Sequence, residues 1–572
     1  MRSLRFLPGT WVGQRRRLQG PRRVVLRVEQ LEDRALLSGF AFTALAELGQ
    51  PAPGPEGGVF TFDFEPGHLN NGGQAIFTAD LDQGAGDIGE GVFLFDGKGL
   101  TQVLRVGETA PGGGTFGGFG SFSPDALNQN NDGAIAFGLN PFTFPIGANS
   151  GLYRYDHGMV ASLRAIVVPG VTPAPGGGIF QGAGFHPYLN NRSDLVFTGT
   201  VPTTIGPGAS IGLGQGIFEA DSHDNLSSVV RPGDSAPGGN TFDYAVNPSI
   251  NAGGDIGFEA HITADPCLDL GRTLPTFLFC AGSVYVRHAN TGSIVSIAHQ
   301  GDPIPASAGG GTYDYAYSPL LNGSGTILFA AGLQGTSSPI GDSQALFLVT
   351  GGTTVAVARQ GQAMPGGGTL VSTTITPGNY SLNDKGDVAF NALLDTGEEG
   401  VYLYSKGALS LVAKSGDVIP GVGTIANFDM AGVGLPSSFV DLNDGGEILF
   451  GASLTGGGGA LLLATPTGQG AGGARADGQA ALLPAQLPVG TAPNALLVSA
   501  LQGAGVQTIA DVSTPPAGAD QPAPSHPGDL TVHDVNSLAL PTLSAGVQET
   551  ETSAPDNLFA ALWASGLDDP LR

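Results

Sequence analysis

The chain has 572 residues, of which 94 are glycine and 41 are proline, while only 13% are charged. Apolar residues make up 41%, enough to fill a large core, so a chain that is disordered throughout is excluded. The formal net charge is −26, and beyond Arg34 acidic groups exceed basic ones by 32, which excludes a nucleic-acid-binding body because phosphate contacts need clustered Lys and Arg.

Residues 1–39 are predicted to be an Arg-rich export or sorting segment outside the fold. Nine arginines occur up to and including Arg34, and the apolar stretch at Val24–Leu26 is cut by Arg27, so an ordinary secretory signal is not indicated. Residues 31–38, LEDRALLS, resemble the LEPR-XLL amino-terminal motif of large exported or surface proteins of planctomycete-type bacteria, with Asp33 in place of the proline. The resemblance implies export. The alternative is a basic disordered tail or a misassigned start.

Residues 40–466 contain one unit seven times. Its clearest part reads N-x-x-G-x-x-A-F or a close variant, and its final phenylalanine recurs at nearly constant intervals from Phe77 to Phe450, with one longer interval between Phe258 and Phe329. A second segment, such as VLRVGETAPGGG, recurs between these motifs, and a third follows each phenylalanine at a similar distance, in copy four as TFLFCAG at 276–282. The motif asparagines are Asn70, Asn130, Asn190, Asn251, Asn322, Asn383 and Asn443.

These copies resemble the choice-of-anchor tandem repeat proteins named for the NxxGxxAF motif. The resemblance covers roughly residues 41–466 and departs from the pattern at Ser193, which replaces the glycine, while the alanine is kept only at Ala136 and Ala389. It implies a secreted or surface repeat protein of β-propeller type with an interchangeable anchor. It supplies no catalytic residues.

Each unit predicts four short antiparallel strands, because short runs rich in β-branched and aromatic side chains are bounded by Gly, Asn or Asp. Asparagine at a turn entry can bond its own backbone and glycine accepts positive φ, so the seven asparagines are predicted as structural turn residues, with ligand contact as the alternative. The repeated phenylalanines are predicted as core. Four such strands per unit make one blade, so the fold class is an all-β, seven-bladed β-propeller.

The two ends of the repeat region are complementary. It begins with a fourth-strand segment, FTALAELGQPAP, and ends with a third-strand segment, ALLLATP, that no fourth strand follows. Residues 41–48 are therefore predicted to form the outer strand of the last blade, which closes the ring and removes an exposed sheet edge. A linear solenoid is the rival, but its atypical caps are not visible.

Two copies carry candidate site residues. In copy two, Asn128, Asn130 and Asp132 have the oxygen spacing of a calcium loop but lack its bidentate glutamate, so a longer asparagine turn and no metal site are predicted, with calcium as the alternative. In copy four, Cys267 and Cys280 are predicted to form a disulfide that pins an enlarged loop to the adjoining strand, with two buried thiols as the alternative. No cofactor is predicted.

No reactive group recurs in register, and no HExxH, GxSxG or Walker A motif occurs. Both tryptophans lie outside the repeats, which argues against WD blades and sialidase-like Asp boxes. The expected function is a monomeric, non-enzymatic binding or scaffold module, extracellular or at the cell surface, that recognises a protein or glycan through the face carrying the variable second-to-third-strand loops. The alternative is a polysaccharide-active enzyme with carboxylates on that face, and a purely structural envelope component is a third possibility.

The remaining chain is predicted to lie outside the repeats. Residues 467–550 are rich in Ala, Gly, Pro and Ser and read as a disordered linker. Residues 551–572 predict a short terminal helix, with Asp556 as the N-cap and Gly566 as the stop, that docks on a surface component or simply frays. No apolar run in the sequence reaches the ~18 residues that span a bilayer.

Overall fold

The computed structural model describes residues 39–467, except 56, 83, 85–87, 118–126, 139–149, 157–161, 206–209, 266–281, 337–343, 374–378 and 429–438. The predicted export motif, the Cys267–Cys280 disulfide, the linker and the terminal helix lie outside the described residues and stay predictions. In the described part, antiparallel strands form seven sheets, and the first strands of neighbouring blades contact one another around a complete circuit. The predicted all-β, seven-bladed propeller is confirmed.

The strands follow the chain order blade by blade. The amino-terminal strand is β1 (Phe40–Glu47). Blade 1 contains β2 (Val59–Leu69), β3 (Ala75–Asp82), β4 (Ile88–Phe95) and β5 (Leu100–Arg105). Blade 2 contains β6 (Leu127–Gln129), β7 (Ala134–Gly138), β8 (Leu152–Asp156) and β9 (Ser162–Val167). Blade 3 contains β10 (Gly182–Leu189), β11 (Leu195–Ile205), β12 (Ser210–Ala220) and β13 (Leu226–Val230).

The second half of the ring repeats this arrangement. Blade 4 contains β14 (Phe242–Ile250), β15 (Ile256–Ile262), β16 (Ser283–Arg287) and β17 (Ile294–Ala298). Blade 5 contains β18 (Thr312–Leu321), β19 (Ile327–Gln334), β20 (Gln344–Thr350) and β21 (Thr353–Arg359). Blade 6 contains β22 (Leu370–Thr373), β23 (Tyr380–Leu382), β24 (Val388–Leu394), β25 (Glu399–Ser405) and β26 (Ala408–Lys414). Blade 7 contains β27 (Val418–Ile419), β28 (Gly423–Asn427), β29 (Val440–Leu442), β30 (Ile448–Leu454) and β31 (Gly459–Pro466), and short 3₁₀ turns occur at Pro237–Gly239 and Ala306–Ala308.

The ring closes through β1, which pairs antiparallel with β31 and so becomes the outer strand of blade 7. The register places Phe42 opposite Ala464 and Glu47 opposite Ala460. The N–H of Thr467 donates to the carbonyl of Gly39 at 2.8 Å, just beyond the strand pair. This is the closure that the sequence predicts for residues 41–48.

The repeated phenylalanines form the core of every blade. All seven are fully buried: Phe77, Phe137, Phe197, Phe258, Phe329, Phe390 and Phe450. Each lies on a second strand opposite a third-strand side chain, which is aromatic in blades 1 to 6, as in the stacked pair Phe390–Tyr402 at 5.8 Å, and Leu462 in blade 7. Burying a phenylalanine contributes about 1.5–3 kcal/mol and an aromatic pair about 0.5–1.5 kcal/mol more, so these pairs hold each blade together.

The structure corrects two predicted segments. In blade 4 the third strand is Ser283–Arg287, with Tyr285 opposite Phe258, and the expected position at 276–282 is wrong. Both stretches contain a short run of apolar and aromatic residues, and the similar spacing from the motif phenylalanine in other copies selected the earlier one. In blade 3 the variable second-to-third-strand loop that the sequence predicts at 201–216 is mostly strand, because β11 and β12 stay paired from Leu195–Ala220 to Ile205–Ser210.

The crossovers between blades contain a glycine turn whose conformation explains the PGGG sequence. In the crossover that leads to blade 2, Gly112, Gly113 and Gly114 have φ values of 92°, 110° and 82°. Three consecutive left-handed residues are accessible only to glycine. The turn is closed by the N–H of Ala110, which donates to the carbonyl of Gly114 at 3.1 Å.

Among the described residues, no helix is both long and apolar enough to cross a membrane.

Candidate functional site at the propeller axis

The seven N-x-x-G turns meet around the axis on one face of the ring. At each turn the asparagine Oδ1 accepts a hydrogen bond from the N–H four positions later, as between Asn383 and Asp387 at 2.9 Å. The fourth turn residue has positive φ, for example 80° at Gly386, and Ser193 at 62° is the exception to glycine. The motif therefore encodes a side-chain-closed turn with a left-handed fourth residue.

The same asparagines link neighbouring blades and form what we term the buried ring. The Nδ2 group of Asn70 donates to the carbonyl of Asn130 at 3.2 Å, and Asn443 in the last blade donates to Asn70 in the first at 3.2 Å. Bonds of this kind join six of the seven junctions in the described chain. The exception is the junction of blades 4 and 5, between Asn251 and Asn322.

The next residue of each turn forms a second circle, the surface ring, consisting of Asn71, Asn131, Asn191, Ala252, Gly323, Asp384 and Asp444. Its N–H groups donate to the side-chain oxygen of the equivalent residue in the next blade, as from Asn71 to Asn131 at 2.8 Å and from Asp384 to Asp444 at 2.8 Å. Five junctions have this bond. Ala252 and Gly323 offer no side-chain oxygen, so the N–H groups of Asn191 and Ala252 have no acceptor in the described part of the chain.

Below the rings, the first strands line a channel with a volume of about 680 Å³ that is open to solvent. Polar side chains face it from several blades, including His68, Asn128, Tyr188, Ser381 and Asp441. Asp441 accepts from the N–H of Leu69 at 2.6 Å and from the Ser381 hydroxyl at 2.5 Å. Its carboxylate is thus held rigidly between blades 6 and 1.

Bulges in the first strands turn further side chains toward the axis. His186, Asn247 and Ser318 each precede a proline and have φ values of 47°, 51° and 50°, and the strand register shifts at each of them. Left-handed non-glycine residues cost about 1–2 kcal/mol each, so the surrounding fold holds these side chains in place. All three line the channel.

Two titratable groups beside the channel have strongly shifted pKa values. Burial raises the pKa of Glu259 to about 7, opposed by hydrogen bonds from Asn247 Nδ2 at 2.8 Å and the Ser318 N–H at 3.3 Å. Burial lowers the pKa of His186 to about 3, so its imidazole is neutral. Asn247 is 4% exposed, and its Oδ1 has no partner within the described residues.

The sequence matches the model of the family of unknown function DUF7453 over residues 36–270 and 280–481. The chain belongs to this family. No curated protein sequence matches it.

Solved structures with a similar arrangement are β-propellers or enzymes with distant sequences. The β-propeller domain of the trilobed protease from Pyrococcus furiosus, described as having an open velcro topology, is 10% identical with a TM-score of 0.36, covering 71% of this chain and 96% of that one. Trypanosoma rangeli sialidase in complex with the inhibitor DANA is 8% identical with a TM-score of 0.31, covering 75% and 60%. Penicillium chrysogenum α-L-arabinanase complexed with arabinobiose is 14% identical with a TM-score of 0.29, covering 61% and 94%. None of these likenesses identifies a site or an activity in this DUF7453 chain.

Of the candidate calcium residues of this DUF7453 member, Asn128 lines the channel and Asn130 lines its mouth. Asn128 Oδ1 accepts from the N–H of Leu189 at 2.8 Å, and Asn130 Oδ1 accepts from the N–H of Asp132 at 3.1 Å. These two oxygens are therefore engaged with backbone groups, while Asp132 is exposed. No group of three His, Cys, Asp or Glu side chains suited to a metal occurs in the described residues. Calcium binding at these residues stays the alternative to the asparagine turn.

Sequence reasoning missed the two rings and the channel. A signal existed for the surface ring, because five of its seven positions are Asn or Asp. No comparable signal marked the channel residues, since the positions two before each motif asparagine vary in chemistry from His68 to Leu320. The variable-loop face, where the sequence places the working surface, falls largely outside the described residues, so that prediction is untested.

Proposed function

We propose that this propeller is a non-enzymatic binding module, exported or displayed at the cell surface, that takes the end of an extracellular glycan into its axial channel. The observation that carries the proposal is the polar lining of the channel, which includes Asn247, a residue whose Oδ1 atom is buried and unpartnered within the described residues. A buried polar atom without a partner is costly. A sugar hydroxyl that donates to this oxygen would remove that cost.

The rest of the channel lining suits a sugar. Pro187, Pro248 and Pro319 offer apolar surface, and Tyr188 and Tyr380 offer aromatic surface. The hydrogen-bonding groups are spread among several blades, so they surround a ligand rather than present a flat patch. A mostly apolar concave site with a few fixed polar groups is typical of small-ligand sites. A concave site enclosed by the first strands of several blades favours a chain end over a folded protein surface.

The arrangement favours binding over hydrolysis at this site. Glycosidases use two carboxyl groups placed about 5–10 Å apart around the scissile bond. In the described lining of the channel Asp441 is the only carboxylate. Glu259, with its raised pKa, lies behind Asn247 and accepts a hydrogen bond from it. An enzyme with carboxylates on the variable-loop face is a separate prediction that a turnover assay addresses.

The proposed location rests on the sequence resemblances, both of which imply export or surface display. It predicts that the full chain, produced in its native host, is found in the envelope or medium fraction. Recovery only with cytoplasmic markers would contradict it. Size-exclusion chromatography of the purified chain is expected to give a monomer.

The binding proposal is tested with a glycan array probed with the full chain. We expect retention of one class of oligosaccharide, weakened at least about tenfold in His68→Ala, because one lost hydrogen bond in the channel is worth roughly 1.4 kcal/mol. His288→Ala is the matched control, since His288 is half-buried on the same face in the turn after β16. Absence of any glycan ligand, equal binding by His68→Ala, or release of shortened products would overturn the proposal.

A further inference from the structure

The buried ring and the surface ring are interrupted at the same place, around blades 4 and 5. In the buried ring Asn251 Nδ2 makes no bond to the Asn322 carbonyl, and no other partner for it occurs in the described chain. In the surface ring the N–H groups of Asn191 and Ala252 lack, among the described residues, the side-chain oxygen that their counterparts have elsewhere. We term this gap the ring notch. All of these residues line the mouth cavity of about 640 Å³.

The intact junctions show which chemical group satisfies such positions. At the junction of blades 7 and 1, Asn71 Oδ1 accepts from the N–H of Asp444 at 2.8 Å, and its Nδ2 donates to the Asp444 carboxylate at 2.5 Å. At the same junction the Asn70 carbonyl accepts two hydrogen bonds, from Gly73 N–H and from Asn443 Nδ2. The Asn322 carbonyl accepts only from Gly325 among the described residues. The ring notch therefore presents N–H donors beside a carbonyl acceptor.

An amide group matches this pattern, because its carbonyl accepts and its N–H donates. A carboxylate would also accept from the N–H groups but cannot donate to the Asn322 carbonyl. The mouth already carries the carboxylates of Asp384 and Asp444, and Asp441 lies in the channel below. Like charges at close range repel, so a neutral amide is favoured over an acidic group.

The ring notch and the channel are connected. His68 and Tyr188 line both cavities, so a sugar ring in the channel can place a substituent at the mouth. We infer that the ring notch is a subsite for an acetamido group, and that the glycan is one that ends in an N-acetylated amino sugar. This inference rests on the proposed function and specifies its ligand class.

The test compares two trisaccharides with the same linkage, chitotriose (as the N-acetylated form) and cellotriose, which differ in carrying an acetamido group or a hydroxyl. Calorimetric titration of the full chain is expected to show chitotriose binding at least about tenfold more tightly, as two neutral hydrogen bonds allow. Ala252→Asn fills the ring notch with the side chain that blades 1 to 3 carry there. It should weaken chitotriose at least about tenfold and leave the melting temperature the same or higher. Ala289→Asn, on the same face but away from the axis, is the control.

The outcomes separate the inference from the function on which it rests. One outcome is that the chain binds glycans and His68→Ala weakens that binding, but chitotriose binds no more tightly than cellotriose or Ala252→Asn has no effect. That outcome leaves the glycan function standing and overturns the ring notch as an acetamido subsite. N-acetylglycine amide competing as well as chitotriose would overturn the sugar assignment in favour of a peptide amide. No glycan binding of any kind would overturn both.

Discussion

The junction of blades 7 and 1 is bonded differently near the axis from the junction of blades 4 and 5, although at each the chain runs directly from the outer strand of one blade to the first strand of the next, from β1 to β2 and from β17 to β18. At the first junction three hydrogen bonds join the two blades: Asn443 Nδ2 donates to the Asn70 carbonyl, the Asp444 N–H to Asn71 Oδ1, and the Leu69 N–H to the Asp441 carboxylate. At the second, both rings are interrupted, and Glu259 and Asn247 bond to Ser318 instead. Both rings are therefore complete at the junction of blades 7 and 1, beside blade 7, whose sheet is closed without a covalent link by β1 and β31. Both rings have a gap at the junction of blades 4 and 5, whose strands each come from one continuous stretch of chain.

The sharpest test of this difference is to remove the motif asparagine at each junction. Asn443→Ala should lower the free energy of unfolding by about 3 kcal/mol, because the turn bond to Glu447, the bond to Asn70 and the bond to the Glu447 carboxylate are lost at about 1 kcal/mol each. Asn251→Ala, which loses the turn bond alone among those described, should cost about 1 kcal/mol. Urea denaturation measures both. Equal losses would contradict a larger contribution to stability from the junction of blades 7 and 1.

The hydrogen bonds that join Glu259 and Asn247 of blade 4 to Ser318 of blade 5 should make the free energy of unfolding depend on pH, because they include the buried carboxyl of Glu259. Its pKa is raised from 4.5 to about 7, so between these pH values the folded protein keeps a proton that the unfolded chain loses. Stability from this group is full below pH 4.5 and is lost as the pH rises through 7, by about 3 kcal/mol. Glu259→Gln should flatten that part of the stability–pH curve.

The matched control for Glu259 is Glu398→Gln, at the half-exposed loop before β25. It should leave the curve over this pH range close to that of the parent protein. Measuring the free energy of unfolding of the parent and both variants at pH 5 and pH 8 is sufficient for this comparison. The same slope in the parent and in Glu259→Gln would show that other groups cause the pH dependence.

A third substitution tests how much the stability of a turn depends on the backbone conformation of its fourth residue. Gly386→Ala places a Cβ where no atom lies within 4 Å, but at a φ of 80°. The expected loss is about 1 kcal/mol from the left-handed conformation alone. Gly99→Ala, also in open space but without positive φ, is the control and should change the unfolding free energy little. Similar losses in both variants would mean that the left-handed conformation is not the cause.

The smallest expected effect comes from restoring one missing bond of the surface ring, at the junction of blades 3 and 4. Ala252→Asn supplies an oxygen to the N–H of Asn191, as Asn191 does for Asn131 at 3.0 Å. We expect a gain of roughly 0.5–1 kcal/mol, the net value of one hydrogen bond at an exposed site. Chemical denaturation at neutral pH measures it. A loss of stability would show that the gap is filled less well by a side chain than by solvent.

Much of the architecture could be predicted because it repeats. Seven asparagines and seven phenylalanines at nearly constant spacing define the turns and the core, and the mismatched end segments define the closure by β1. The prediction failed in blade 4, where a long insertion separates Phe258 from its true partner Tyr285. Periodicity locates a strand only while the loop before it keeps its length.

The candidate site could not be predicted in the same way. Asn70 and Asn443 lie far apart in the sequence, and only the closed ring brings the Nδ2 group of one to the carbonyl of the other. The shape of the channel depends on bulges before prolines, such as the one at Asn247, and on the order in which the blades surround the axis. Local patterns carry the turn but not the contacts between turns.

The pairing of β1 with β31 also determines when the molecule can be completed. During synthesis Phe40–Glu47 emerges before every other strand of the ring, yet its hydrogen-bonding partner, Gly459–Pro466, is the last to be made. Until then the strand has a free edge, and edges of this kind recruit other strands. Contacts so distant in sequence also form slowly. A cell that makes this protein must keep its first strand from wrong partners until the last blade has left the ribosome.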